Sequence, residues 1–299
     1  MIAYCWLRKN SFSLLEQIIS EIRLDSAPIE DCNYLYNLLS PTYDRFYPHS
    51  DQKNIAFCRK LIRLLKSRGV RKVIDICCGT GRQTIPLKQQ GFDVWGTDQS
   101  EGMLERCRWN QKQAGTFFPI QQIPWEGLAA NFENEFDAVI MIGDPLVHVP
   151  SKKLKSVFKN IEKILHPKGV LILNMRNWEK ELKPFLNKRL GVKYTLVQRV
   201  NSELMIFGFR RPKGKRRIQE VICWNAKAKK IINFYCQTVV YINCIQIVKT
   251  SLLSAGFKNI ILLKDFTKIM DNYSYMDYFL IEKGSDCDSG HGAKTTFAL

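Results

Sequence analysis

What constrains this chain most is the order of its elements between Arg71 and Met175. Short apolar runs alternate there with stretches of helical periodicity, and the first run ends in Asp75-Ile76-Cys77-Cys78-Gly79-Thr80-Gly81. The runs are Arg71–Cys77, Phe92–Thr97, a weaker Phe117–Gln121, Phe136–Ile142 and Val170–Met175. Helices are expected over 82–90, 100–113 and 151–165, the last closed by His166-Pro167-Lys168-Gly169. Ser100 reads as an N-cap, with Glu101 and Glu105 near the positive end of the helix that follows. Unbroken apolar strands between helices predict a parallel sheet covered on both faces. Right-handed crossovers then make it α/β and doubly wound, Rossmann-like.

Outside this stretch the pattern changes. Residues 11–24 and 51–68 carry helical spacing, and 31–47 are rich in aromatics around Ser40-Pro41. After Met175, four strand-like runs at 192–200, 203–210, 217–224 and 230–241 are joined by short polar turns, which predicts an antiparallel meander inserted in the α/β core. A helix at 246–254 and strands at 257–263 and 278–282 follow.

Small residues straight after a strand let the backbone approach a ligand closely and start the next helix tightly. Asp98 ends the second strand, 17 residues after Gly81, where a carboxylate can accept both hydroxyls of a ribose. A dinucleotide loop of the form G-x-G-x-x-G lacks its third glycine here, since residue 84 is Thr. Asp75 on the first strand also suits a cofactor with a positively charged end better than a pyrophosphate.

The runs V-I-D-I-C-C-G-T-G and G-F-D-V-W-G-T-D-Q-S-E-G-M-L resemble the class I S-adenosylmethionine (SAM)-dependent methyltransferases over about 43–177 and again near 253–283. The resemblance implies a seven-stranded sheet whose last strand is antiparallel, with SAM as cofactor and S-adenosylhomocysteine (SAH) as product. It places Asp75 near the methionine amino group, Asp98 on the ribose and Gln99 beside the adenine. Cys77, Gly79, Thr80, Gly81 and Ile142 fall on the cofactor side. The chain is most similar to small-molecule N-methyltransferases, both the glycine/sarcosine and the amino-sugar kinds. Tyr43-Asp44-Arg45-Phe46-Tyr47 resembles the N-terminal cap of the amino-sugar enzymes, and Met175-Arg176-Asn177-Trp178 the strand-end segment of the glycine enzymes. That match implies acceptor binding by Arg176, Tyr47 and Asn177, with Tyr43, His148 and Asp144 at the reacting centre and Trp125 beside the adenine.

The departures from the family pattern carry chemistry of their own. Cys77 stands where the first loop glycine is usual, and Pro124, with no N–H, stands where an adenine-binding Asp or Asn is common. Asp144 replaces the Asn of the glycine enzymes, and an ionised carboxylate there repels a substrate carboxylate. The implied organisation is a helical cap or lid over 1–50, a SAM-binding core over 51–177, a basic meander over 178–245, a returning helix and strands over 246–283, and a disordered tail over 284–299.

Charge and cysteines bound the partners. Net charge is +17, and all of the excess lies in 151–230, with 22 basic and 5 acidic residues. Lys152, Lys153, Lys155, Lys159, Lys163 and Lys168 form one cluster, and Arg210, Arg211, Lys213, Lys215, Arg216 and Arg217 another. Such a surface concentrates anions. It keeps a second reading open, an RNA (tRNA) methyltransferase, beside a third, a non-catalytic SAM-binding subunit; monomer and homodimer both remain open. The 10 cysteines include no C-x-x-C pair and the four His do not cluster, so no metal is expected. Free thiols, no secretory signal pattern and no apolar run of about 18 residues give a cytoplasmic expectation without a membrane span.

Overall fold

The computed structural model describes residues 29–178, 192–200, 203–210, 216–225, 227, 230–264, 266 and 276–284. The expected helix at 11–24 and tail at 284–299 lie outside them, apart from Gly284. Contacts divide the chain into two units, one drawn from Met1–Tyr47 and Pro184–Val240, the other from Pro48–Lys183 and Tyr241–Leu299.

The first unit holds β1 (Ile29–Glu30), α1 (Cys32–Leu39) and α2 (Tyr43–Phe46). It also holds β7 (Val192–Val200), β8 (Glu203–Arg210), β9 (Arg216–Asn225) and β10 (Lys230–Tyr241). Its sheet runs β1-β10-β9-β8-β7. β7, β8 and β9 pair antiparallel as consecutive neighbours, and β1 adds to β10 in parallel. The basic cluster at 210–217 straddles the β8–β9 connection, whose centre lies outside the described residues.

The second unit opens with α3 (Gln52–Ser67), capped by Asp51, whose side chain accepts from the Lys53 N–H. Then come β2 (Lys72–Asp75), α4 (Thr84–Gln89), β3 (Asp93–Asp98), α5 (Glu101–Gln113) and β4 (Ile120–Gln122). After a 3₁₀ turn at Trp125–Gly127 come α6 (Leu128–Asn131), β5 (Phe136–Met141), α7 (Leu154–Ile164) and β6 (Leu165–Arg176). α8 (Ile245–Ser254), β11 (Phe257–Leu262) and β12 (Met276–Lys283) complete it. Ser100 caps α5 as expected, its hydroxyl accepting from the Met103 N–H at 3.1 Å.

The seven strands lie in the order β11-β12-β6-β5-β2-β3-β4. β2 to β6 are mutually parallel and β12 runs antiparallel to both β6 and β11, which is the predicted doubly wound sheet. The central strands are apolar throughout because helices cover both faces: Val73, Ile74, Val94, Val139, Ile140, Leu171, Ile172 and Leu173 are all fully buried. On one side Phe57, Leu61 and Leu65, spaced four apart on α3, pack with Val73, Ile172 and Tyr278. On the other, Leu154, Val157, Phe158 and Ile161 of α7 pack with Ile74, Val139 and Leu171.

α7 ends at Ile164, just before the expected His166-Pro167-Lys168-Gly169 stop, but those residues lie inside β6, which starts at Leu165 and not at Val170. The register against β5 jumps from Phe136↔Leu165 to Ala138↔Val170, so these residues form a bulge. Lys168 takes φ +66° there, and a Cβ on Gly169 would lie 2.9 Å from the His166 carbonyl oxygen. Among the described residues no helix is long and apolar enough to cross a membrane.

Candidate active site

The chain leaves β2 toward β3 and β4 on one side and takes up β5 and β6 on the other, so the carboxyl ends of β2 and β5 flank the switch point where open α/β sheets bind ligands. The loop after β2 straddles that point. The Ile76 N–H donates to the Ile140 carbonyl at 3.1 Å, and two residues on the Cys78 N–H donates to the Thr97 carbonyl at 3.0 Å.

The loop is built around backbone shapes that favour glycine. Gly79 has φ +53° and Gly81 φ +88°. A Cβ on Gly79 would meet nothing within 4 Å, whereas one on Gly81 would lie 3.0 Å from Cys107 Sγ and 3.1 Å from Ile85 Cδ1. Gly79 thus presents bare backbone to the crevice, and Gly81 lets α4 and α5 close behind it. Gly96 on β3 admits the Cys78 side chain, whose Sγ lies 3.0 Å from where a Cβ would sit.

Asp98 binds the loop directly. Its Oδ2 accepts from the Gly79 N–H and its Oδ1 from the Ser100 N–H, each at 2.9 Å. Burial raises its pKa, and these donors pull it back. The carboxylate retains acceptor capacity for a further hydroxyl donor. Asp75, 1% exposed, accepts from the Thr84 hydroxyl at 2.8 Å and the Cys77 N–H at 3.3 Å. Desolvation outweighs both bonds and lifts its carboxyl to about 7. Such a group is stabilised as a carboxylate by an arriving ammonium. Gln99 follows Asp98 half-buried, and its carbonyl accepts from the Gln122 side chain at 2.8 Å.

Cys77 fills the gap between the strand ends, its thiol donating to the Ile142 carbonyl at 3.3 Å. Burial holds that thiol protonated, well above the usual cysteine range. Trp125 packs against the apolar cluster beneath, and its indole N–H donates to the Ile76 carbonyl at 2.8 Å.

At the far side of the switch point, Asp144 adopts a left-handed conformation, φ +65°, rare for a residue with a Cβ. It is 4% exposed and pinned at both ends. Asn174 Oδ1 accepts from the N–H groups of Gly143 and Asp144, both at 3.0 Å. The Asp144 carboxylate accepts from the Arg176 backbone N–H through Oδ1 and from Arg176 Nε through Oδ2, both at 2.9 Å. His148 ends the 3₁₀ turn after it, with its pKa lowered to about 4 by burial and by the neighbouring Arg176 charge, so its imidazole is neutral at pH 7. Arg176 and Asn177 line a small pocket with Trp178, Cys244, Ile245 and Asp277, and Asn177 Nδ2 donates to Asp277 Oδ2 at 2.8 Å.

The second unit therefore gathers Asp75, Cys77, Gly79, Thr80, Gly81, Asp98, Gln99, Ile142, Asp144 and Arg176 at one edge of its sheet. Tyr43 and Tyr47 belong to the other unit, where their rings lie 4.9 Å apart at 36°.

Sequence reasoning missed the polar residues that hold this edge. Asn110 Nδ2 donates to the Thr80 carbonyl at 2.9 Å and lies 3.2 Å from His49 Nε2, which is itself 3.4 Å from the Thr80 hydroxyl. Asn243, 1% exposed, donates from Nδ2 to the carbonyls of Leu146 and Val149, both at 2.8 Å, and so fixes the turn after Asp144. Asn174 did leave a signal, as the polar residue in an otherwise apolar strand.

A family model described as a methyltransferase domain matches residues 73–169, the stretch from β2 into β6 that carries this cradle. The α/β unit is thus similar to methyltransferase domains over that stretch. The glycine/sarcosine N-methyltransferase of Parasynechococcus marenigrum is 35% identical over 122 residues, 40% of this chain and 43% of that protein. The chain thus spans about half the length of the curated relatives it matches. A SAM-dependent methyltransferase from Clostridium acetobutylicum superposes with a TM-score of 0.65 over 84% of this chain and 100% of its own, at 16% identity. The sugar N-methyltransferase KedS8 from Streptoalloteichus sp. does so with 0.59 over 81% and 92%, at 17% identity. At such identities the superpositions establish the methyltransferase fold.

Proposed function

We propose that this chain is a SAM-dependent methyltransferase acting on the nitrogen of a small amine. The observation that carries the reading is the cradle of Gly79-Thr80-Gly81 against the Asp98 carboxylate, at the switch point of a methyltransferase sheet. Asp98 would hold the ribose hydroxyls, Asp75 the α-ammonium, and Gln99 and Trp125 the adenine side, with Cys77, Thr80 and Ile142 lining the floor. Bound SAM supplies a methyl group on a sulfonium, already activated for transfer. The residues therefore need only orient a neutral amine in line and keep water out. Asp144 and the neutral imidazole of His148 would accept the amine hydrogens, and the similarity to N-methyltransferases favours nitrogen as the acceptor atom. Thiols among the described cysteines fit a reducing compartment, hence the cytoplasm.

The RNA reading keeps one observation in its favour, the exposed row Lys152, Lys155, Lys159, Lys163 and Lys168 along and beyond α7. Incubation with methyl-labelled SAM and a cell extract, followed by separation by size, decides between them. Label in small metabolites is the expected result. Label in RNA overturns the small-amine reading, and SAM binding without any transfer favours a non-catalytic subunit.

A further inference from the structure

Arg176 stands at the carboxyl end of β6, and its charge is met from inside the protein by Asp144. Both Asp144 oxygens are engaged by Arg176, through the backbone N–H and through Nε, at 2.9 Å each. The pair is shielded from solvent, its side chains 17% and 5% exposed for Arg176 and Asp144. The Asp144 backbone is held in an uncommon conformation by Asn174, which fixes the point from which the carboxylate reaches Arg176. The adjoining pocket contains Arg176 and the second carboxylate, Asp277. Asp277 is taken up by Asn177 Nδ2, so the charge balance of this corner rests on the Asp144–Arg176 pair, which resists a further anion and accommodates hydroxyl and ammonium donors. The pocket opens at the carboxyl end of β6, two strand spacings, or about 10 Å, from β2.

We infer that Asp144 is the specificity-determining residue of the acceptor site: by neutralising Arg176 it selects a hydroxylated amine without a carboxylate and rejects amino acids. The inference rests on the methyltransferase reading for its substrate and on the Asp144–Arg176 geometry for its sign. Asp144→Asn is the informative change. Asn tolerates the left-handed backbone better than any residue except Gly, and its amide oxygen still accepts from Arg176, so the turn stays while the negative charge goes.

The test uses the full chain saturated with SAH and titrates it with acetate as the carboxylate probe and acetamide as its neutral counterpart. SAH affinity close to wild type establishes that the variant is folded. Asp144→Asn is expected to bind acetate at least about tenfold more tightly than wild type, from loss of a unit charge a few ångströms away in a partly buried site, with acetamide unchanged. Adding Arg176→Met to Asp144→Asn is expected to abolish the gain, which a purely structural role for Arg176 would not do. In turnover, the ratio of kcat/KM for glycine over glycinamide should rise at least about tenfold in Asp144→Asn, the comparison between proteins cancelling the difference in amine basicity. Equal acetate binding by wild type and Asp144→Asn, or an unchanged ratio, overturns the inference. SAH release from no amine, with the acetate difference intact, overturns the N-methyltransferase reading and leaves the charge assignment standing.

Discussion

Gly79 and Gly81 both take positive φ, yet they stand in different surroundings, and the same substitution should have opposite consequences at the two positions. In Gly81→Ala the new methyl would lie 3.0 Å from Cys107 Sγ and 3.1 Å and 3.3 Å from two carbons of Ile85, both residues buried. The left-handed backbone costs about 1–2 kcal/mol for an L-residue, and forcing a methyl into packed core costs about 1–3 kcal/mol more. Gly81→Ala should therefore lose roughly 2–5 kcal/mol of stability by these two terms. In Gly79→Ala only the backbone cost of about 1–2 kcal/mol applies, since nothing lies within 4 Å of the new carbon. That methyl instead enters the crevice beside Asp98, where the cofactor would contact bare backbone, and SAH affinity should fall at least about tenfold, or 1.4 kcal/mol. Urea unfolding without ligand reads the first quantity, with an unchanged slope required for the comparison; calorimetric titration of SAH reads the second. Wild-type SAH affinity in Gly79→Ala would refute the placement of the cofactor over this loop. Equal unfolding midpoints for the two variants would refute the packing argument for Gly81.

Two buried groups oppose each other in the pH dependence of stability. The Asp75 carboxyl is raised in the folded state to about 7, so the folded protein holds its proton longer than the unfolded chain and this group's contribution falls as pH rises from about 4 to 7. His148 is lowered to about 4, so the unfolded chain takes its proton first and this contribution rises with pH between about 4 and 6.5. Relative to wild type, the stability of Asp75→Asn should climb with pH across 4–7 and that of His148→Gln should decline across 4–6.5, both followed by urea unfolding; slopes of the reverse sign would refute the assignments. If Asp75 meets the cofactor ammonium, SAM binding near pH 7 should release a fraction of a proton, seen as a buffer-dependent heat that Asp75→Asn abolishes. Asn243→Ala removes the donor to two buried carbonyls and should cost about 2–3 kcal/mol in unfolding free energy, with loss below 0.5 kcal/mol ruling out Asn243 as the anchor of the turn after Asp144.

The sheet was readable because its information is local. Fully buried parallel strands must be apolar along their whole length, so Ile74, Val139 and Leu171 announce themselves, and Ser100 needs only the N–H three residues on to act as a cap. The edge strand β4 is only Ile120–Gln122, its two glutamines exposed, and a strand with one buried neighbour leaves a correspondingly faint pattern. The stop at 166–169 does close α7, and its place inside β6 went unread for a physical reason. Pro and Gly punctuate helices and distort strands alike, and the register against β5, a tertiary fact, decides which they do.

The same division runs through the site. The half proposed for the cofactor is a turn of consecutive residues plus one carboxylate on the next strand, so chain order alone places Gly79, Gly81 and Asp98. Its acceptor half is held by bonds between residues 30 to 32 apart, Asn174 to the Gly143–Asp144 turn and Arg176 to Asp144, and by Asn243 reaching back 94 and 97 residues. No spacing rule anticipates such pairs, because they depend on which strands the sheet sets side by side. From sequence, Arg176 is an available cation; its adjacency to Asp144 follows only once β5 and β6 are neighbours, with Met141 opposite Leu173. A methyltransferase cofactor loop can therefore be recognised in a single chain while its acceptor cannot. On the inference drawn from Asp144 and Arg176, the acceptor is governed by the net charge of that assembled corner, and one substitution at Asp144 changes the charge without touching the loop.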